Sequence, residues 1–332
     1  MERRRMLIGG VVVAAAWFVR SAPAYAAGPA PGARLSAGDV ALGQRLFAAG
    51  AYEDLGRLLP LFMAGAERGE QEGPAGAARA AGVWVLAARL AVKQGRLREA
   101  GVHAVRAGSA AHRSGDAVVL AGAARAAAPV LRRTGRAGQA LALLQEAHTE
   151  LTAGARLTAA GLDAAGMVAL TAAYTAAQAH LPAPARDFAA QAEQTARRLE
   201  THPAGGHREL SAAQCTLYRI GIHRHLGDVD RALAYTEALE PAGLLTPERR
   251  ARAATDTDTA TATATARVLL DAGDMAGAFA QLRLVELAAP HEARRPSVRA
   301  VTAHIAARRP DLPGLADYAR RTAAHRQGAA GT

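Results

Sequence analysis

The residues of this chain best suited to covalent or metal chemistry are a single cysteine, Cys215, and two histidines close behind it, His223 and His225. Their spacing argues against shared work. On a helix, residues two apart point about 200° from each other, so His223 and His225 cannot hold one metal ion. Cys215 and His223 fall on about one face but more than two turns apart, beyond the reach of a thiolate–imidazole pair. The expected role of Cys215 is that of a small buried residue. The carboxylates Asp228, Asp230, Asp271 and Asp274 come singly beside turn glycines, where helix capping and turn chemistry account for them.

Other catalytic signatures are missing. Lys93 is the only lysine and sits in "AVKQG", which excludes a phosphate-cradling loop ending in Gly-Lys-Ser/Thr. The paired-histidine zinc motif, the nucleophile elbow and the dinucleotide-binding glycine fingerprint do not occur either. The chain therefore reads as non-enzymatic, with no catalytic residue, no metal site and no cofactor.

The elements that hold these residues follow from composition. The chain has 332 residues, half of them hydrophobic but only 4% aromatic, and alanine makes up roughly a quarter. Alanine is the best helix former and a poor filler of space. Such a composition is satisfied by closely packed helices, not by sheets that need Val, Ile, Tyr and Phe. The expected fold class is all-α. The net charge of +11 is nearly all arginine, scattered along the chain, with a modest cluster from Arg294 to Arg326. No reading motif accompanies it, so direct nucleic-acid binding is not expected. One cysteine excludes an internal disulfide framework.

A short phrase recurs: a glycine turn, then a helix with a small or apolar residue five places on. It appears as Gly50 with Leu55, Gly95 with Ala100, Gly135 with Ala140, Gly227 with Ala232 and Gly273 with Ala278. The interval is 40 to 46 residues, except for one double interval whose middle falls at the Pro-marked break around His180 to Pro184. About six units follow, each long enough for two helices. Glycine suits the residue just past a helix end, which often turns left-handed. Small residues at the fixed offset let the paired helices approach closely. Units of this kind stack, giving a tetratricopeptide-like α-solenoid of about six helix-hairpin repeats.

Local signals agree. Ser36 and Asp39 form a capping-box variant. Leu55, Leu58, Leu59 and Phe62 make one helical stripe, as do Leu141, Leu144, Ala147 and Leu151. Phe279, Leu282 and Val285 make another in the last repeat, where Pro290 ends the helix. The alternating "TDTDTATATATA" stretch inside residues 251–274 reads as a lengthened helix, because Thr and Ala differ too little in polarity to mark a strand's two faces.

The N-terminus "MERRRMLIGGVVVAAAWFVRSAPAYAAG" has the parts of an export signal: a basic start with a twin-arginine-like Arg3-Arg4, a short apolar run, and a cleavage site after Ala26, before Ala27. The other reading is an uncleaved hydrophobic arm packed on the body. The expected division is a signal-like segment over 1–26, a Pro/Gly linker over 27–35, a helical-repeat domain over 36–326, and a disordered tail over 327–332.

"GDVDRALAYTEAL", "ARVLLDAGDMAGAFAQLRLVELAAP" and "HEARRPSVRAV" resemble the tetratricopeptide-like sensor region of XRE-type helix-turn-helix transcriptional regulators of high-GC Gram-positive bacteria. "AGAYEDLGRLLPLF" is similar to their first sensor repeat, and "ERRRMLIGG" to a stretch that imitates an export signal inside such cytoplasmic proteins. No helix-turn-helix precedes the repeats here, so DNA reading is not carried over. The family's F-G-x-x-N-V phrase is replaced by Leu210, Ser211, Gln214 and Cys215, while Arg219 keeps the family's arginine with Tyr218 beside it. The resemblance implies a regulatory module that binds a protein, peptide or small ligand, with Gln214, Tyr218 and Arg219 lining the groove; the other reading is that these three pack and cap. The alternative function is an exported binding scaffold, meeting the membrane only through its N-terminal segment.

Overall fold

The computed structural model describes residues 34–153, 157–202, 208–240, 243–244 and 265–323. Within them every regular element is a helix. The expectations for Arg3, Arg4, Ala26 and Ala27, for the Thr/Ala stretch up to residue 264 and for the tail lie outside the described residues. Helix α1 (Ala37–Ala48) opens on the expected capping box: Ser36 Oγ accepts from the Asp39 amide at 3.2 Å, and the Ser36 amide donates to Asp39 Oδ2 at 2.8 Å. It pairs with α2 (Tyr52–Gly69). Four more hairpins follow: α3 (Gly73–Lys93) with α4 (Leu97–Ser114), α5 (Ala117–Arg133) with α6 (Ala137–Thr152), α7 (Ala159–Gln178) with α8 (Pro182–Glu200), and α9 (Ala212–His225) with α10 (Val229–Ala238). A sixth joins α11 (Thr265–Asp271) to α12 (Met275–Ala288).

One turn builds all six hairpins. Gly50, Gly95, Gly135, Gly227 and Gly273 each take a left-handed φ, between 73° and 81°, and in the double interval His180 takes the same role at 55°. At each, the turn residue's amide bonds three residues back and the next amide five back, as in Gly135 to Arg132 and Arg136 to Leu131, or His180 to Ala177 and Leu181 to Ala176. This is the Schellman closure of a helix end. The residue that completes it also accepts the first bond of the next helix, as Arg136 does from Ala140 and Leu181 from Ala185. The side chain five places past the turn is thereby forced against the preceding helix. Leu55, Ala100, Ala140, Ala185, Ala232 and Ala278 are all at 0% exposure.

The hairpins pack in a regular order. Each first helix (α1, α3, α5, α7, α9, α11) lies beside the next first helix, and each second helix also touches the first helix that follows it. First helices thus form an inner row and second helices an outer one. The sequence divides accordingly: α8 buries one stripe, Ala185, Ala189, Ala192, Ala196 and Leu199, whereas α7 is buried almost all round from Gly161 to Ala177. The described helix α3 is long and apolar enough to cross a membrane, yet two thirds of its apolar window is buried inside this fold, as a core helix requires.

Past Pro290 the hairpin series stops, and three further helices end the described residues: α13 (Pro290–Ala293), α14 (Pro296–Arg308) and α15 (Leu315–Thr322). With α11 and α12 they have their own core of Ala278, Leu282, Val285, Val298, Ile305 and Tyr318. The basic cluster of this region is largely taken up by carboxylates: Arg295 is buried on Glu292, and Arg294, Arg309, Arg320 and Arg321 pair with Glu53, Asp311, Asp317 and Glu286.

His180 is the one described turn residue with a Cβ in the left-handed region, and it is exposed. His180→Gly is expected to raise stability by about 0.5–1 kcal/mol, and Gly135→Ala, where a methyl group would touch nothing, to lower it by about 1 kcal/mol through backbone strain alone. Urea unfolding followed by circular dichroism checks both signs; equal midpoints would remove the turn from its controlling place.

Candidate functional site

An alanine-rich inner row has little reason to carry charge, yet it does where α5, α7 and α9 meet. Arg125 stands alone in "AGAARAAAP" and Asp163 alone in "GLDAAG". Arg125 Nη2 donates to Glu209 Oε2 at 2.7 Å, with both side chains mostly buried. Asp163 Oδ1 accepts from the amides of Glu209 at 2.8 Å and Leu210 at 2.7 Å, which pins the segment leading into α9 onto α7. That segment lies close: a methyl group on Gly166, one turn past Asp163, would fall 2.2 Å from Leu210 Cδ2 and require that side chain to move. Ser211 then caps α9, its Oγ accepting from the Gln214 amide at 3.1 Å.

Gln214 and Tyr218 sit one turn apart on the α9 stripe facing this cluster. Gln214 is 1% exposed, and its Nε2 has no hydrogen-bond partner among the described residues; the same holds for Arg125 Nε. A buried donor without a partner is a standing demand for an acceptor. Tyr218 is buried and meets Tyr174 of α7 edge-on, centroids 6.2 Å apart. The polar track continues along α7 from there. The Tyr174 hydroxyl lies 2.8 Å from His225 Nε2, and Arg132 of α5 stands over the Tyr174 ring and donates to Thr175 Oγ1 at 3.0 Å.

Arg219, the third residue expected on the groove, turns the other way. One position past Tyr218, it points to the outer helix α8 and donates through Nε to Glu193 Oε1 at 2.7 Å. Burial alone would weaken its hold on its proton; the Glu193 hydrogen bond and charge outweigh that. The structure therefore brings Gln214 and Tyr218 together and sets Arg219 apart. It adds Arg125, Asp163 and Glu209, whose only mark in the sequence is a lone charge inside an apolar helix or just before a cap.

Protonation follows the same environment. Burial raises the Asp163 pKa, and the two backbone amides and Arg125 offset it only in part. Arg125 is held protonated, since Glu209 and Asp163 outweigh the effect of its burial. Cys215, among Leu199, Ala196 and Ile222, has its thiol pushed up to about 12 by burial and then by the Glu193 charge. His223 is lowered by burial despite Asp228 Oδ2 at 3.4 Å, and it stacks on Tyr235, while His225 faces Tyr174. The two histidines point to different neighbours. Three of the four turn carboxylates cap or pair: Asp228 accepts from the Arg231 amide, Asp274 from the Gly277 amide, and Asp271 binds Arg224. Among the described residues no group of three or more His, Cys, Asp or Glu is placed to hold a metal ion.

Asp163→Ala strands two buried amides and is expected to cost about 2–3 kcal/mol in urea unfolding; Asp163→Asn, whose amide oxygen still accepts, should stay within about 1 kcal/mol of the wild type. A raised folded-state pKa means that the native state holds its proton longer than the unfolded chain does. The Asp163 contribution is therefore full below about pH 4 and is lost as pH rises through the raised native value. Against Asp163→Asn, the wild type should lose relative stability across that window. Cys215 should resist a thiol-reactive disulfide reagent in the native protein and react at once in denaturant; rapid native reaction would contradict its burial.

No family model, no curated protein and no solved structure matches this chain.

Proposed function

We propose that this chain is a tetratricopeptide-like solenoid that binds a protein, peptide or small ligand in a regulatory role, akin to the sensor regions of XRE-type regulators, without chemistry of its own. The observation that carries this is the part-buried polar cluster of Arg125, Asp163 and Glu209, together with the buried Gln214 and Tyr218 of α9, where α5, α7 and the lead-in to α9 meet. A helical core made to be stable would fill that position with Leu and Ala, since burying a polar group without a partner costs free energy. Donors left open at Gln214 Nε2 and Arg125 Nε fit a ligand that presents acceptor oxygens, such as a peptide carbonyl or a carboxylate. Tyr218 and Tyr174 supply flat apolar walls beside them.

The regulatory part of the reading comes from the resemblance of the C-terminal hairpins and of the stretch around Arg219 to those sensor regions. The arrangement favours capture over catalysis. The thiol is held protonated, His223 and His225 face different partners, and three of the four turn carboxylates are engaged in caps and ion pairs. A second reading, an exported binding scaffold, is favoured by one specific feature, the "AYAA" cleavage-like site behind a short apolar run. Both readings use the same inner cluster and differ in where the ligand is met.

The test is capture from the native host's lysate and medium on immobilised full-length protein, with Gln214→Ala and a charge-matched helical protein in parallel. The expected outcome is a bound species, identified by mass spectrometry, that the wild type retains and Gln214→Ala loses by about tenfold. Retention equal on all three surfaces would end the reading. The mass of the native protein separates the two versions: a chain starting at Ala27 outside the cytoplasm favours the exported scaffold, and an intact intracellular chain favours the regulator.

A further inference from the structure

The only lysine of the chain lies at the end of α3, and it is buried. Lys93 Nζ bonds Glu292 Oε1 at 2.7 Å, and Glu292, in α13 of the C-terminal unit, is at 0% exposure. Tyr52, at the start of α2, donates its hydroxyl to the same carboxylate oxygen. Arg295 grips the other oxygen through Nη1 at 3.0 Å and reaches the Lys93 carbonyl through Nε at 3.4 Å. Lys93 also stands 5.7 Å from the Tyr52 ring and 5.8 Å from that of Phe47. Residues some 200 to 240 positions apart thus share one dry ionic cluster, and the run of hairpins returns to its own beginning.

What surrounds the cluster is sparse. No helix of the first two hairpins packs lengthwise on a helix of the C-terminal unit among the described residues. The contacts are points: a methyl group on Gly50 would meet Ala289 at 3.6 Å, one on Gly95 would meet Pro296 at 3.5 Å, and Glu53 sits at the rim near His291 and Arg294. The two sides do not share a hydrophobic core. Phe47, Tyr52 and Leu55 belong to one, Ala289, Ala293 and Val298 to another. Closure therefore rests on polar side chains and not on a packed apolar seam. Buried charges repay their desolvation only while all partners are in place, and the loss of one leaves the others costly. A joint of that kind is all or none.

We propose that this cluster is a latch: Glu292 docks between Tyr52 and Lys93, and the C-terminal unit, residues 265–323, turns about the seat of α11 on α9 and α10, where Val268 packs with Leu217, Ile220 and Ala232, between docked and released positions while the hairpins from α1 to α10 keep their fold. Release returns Lys93, Arg295 and Glu292 to water, where each is hydrated separately. It also uncovers the Gly50 and Gly95 turns, against which α13 and α14 rest. The docked form brings the two ends together; the released form leaves the inner row open at its ends.

The experiment uses the full-length chain with Cys215→Ala and spin labels at Arg57→Cys and Leu287→Cys, both exposed and on opposite sides of the joint. Pulsed dipolar spectroscopy should give one narrow, short distance for the docked protein. Glu292→Ala should add a longer population and lower the docked-to-released ratio at least about tenfold, with the helical circular dichroism signal kept. Lys93→Met, which leaves Glu292 its Tyr52 and Arg295 partners, should open the joint to a smaller extent. Opening in Glu292→Ala alone still supports the latch and moves the holding contact to Tyr52. A single short distance in both variants overturns it. So does loss of helical signal in step with opening, which would make the cluster part of one indivisible core.

Discussion

Every level of this molecule depends on one backbone constraint, the left-handed residue that ends the first helix of each hairpin. Its φ and the pair of amide bonds across it leave a single residue between it and the next helix, so that following residue must close one helix and start the next. The next helix then leaves at a set angle, and the position five past the turn is pressed onto its neighbour. Alanine at that position is a consequence of the turn. Leu55 shows the tolerance: a methyl group on Gly43 of α1 would already meet Leu55 Cδ1 at 3.7 Å, so the glycine leaves room for the larger side chain. The spacing between successive turns, 40 to 46 residues in the unambiguous intervals, gives each turn the same separation along the chain, and the first helices lie side by side as one row.

An inner row built mainly of alanine has close backbones and few large side chains, which leaves polar groups as the means of fixing one helix against the next at particular points. Asp163 holds the lead-in to α9, Arg125 reaches across to Glu209, and Arg132 reaches to Thr175. These bonds specify register more than they add stability, since each also pays desolvation. Gln214 Nε2 and Arg125 Nε are buried donors without a hydrogen-bond partner among the described residues. Elsewhere along the row polar atoms such as the Thr171 and Thr175 hydroxyls are satisfied by carbonyls one turn back.

Much of the architecture was legible because it is local. A capping box, five glycine turns and small residues at one offset are each read within a few positions, and the missing sixth turn was located by the interval and the Pro-marked break together even though His180 occupies it. The last three described helices were not separated from the hairpins, because Pro290 and Pro296 mark helix starts without saying what those helices pack on. The site was half legible. Gln214 and Tyr218 share a stripe that spacing reveals; Arg219 adjoins Tyr218 in the chain but lies about 100° round the helix, on the side of Glu193. Glu209 and Asp163 are 46 positions apart, a distance at which periodicity carries no information about contact.

The same reasoning explains why the two ends meet through charge. An apolar joint between the first hairpins and the C-terminal unit would need large side chains on both surfaces, and a chain with 4% aromatic residues has already placed Phe47, Tyr52 and Trp84 in its first core and Phe279 and Tyr318 in its last. The turn glycines at Gly50 and Gly95 present no side chain to the joint. A long side chain from the end of α3 is one way to span the gap, and lysine, used nowhere else, has the reach and a single compact charge that one carboxylate can take along with a tyrosine hydroxyl. An apolar seam would hold at any occupancy of its contacts. A seam of three charges and a phenol holds only when Glu292 has its partners, and that makes the joint a place where a few side chains decide between two arrangements of the same helices.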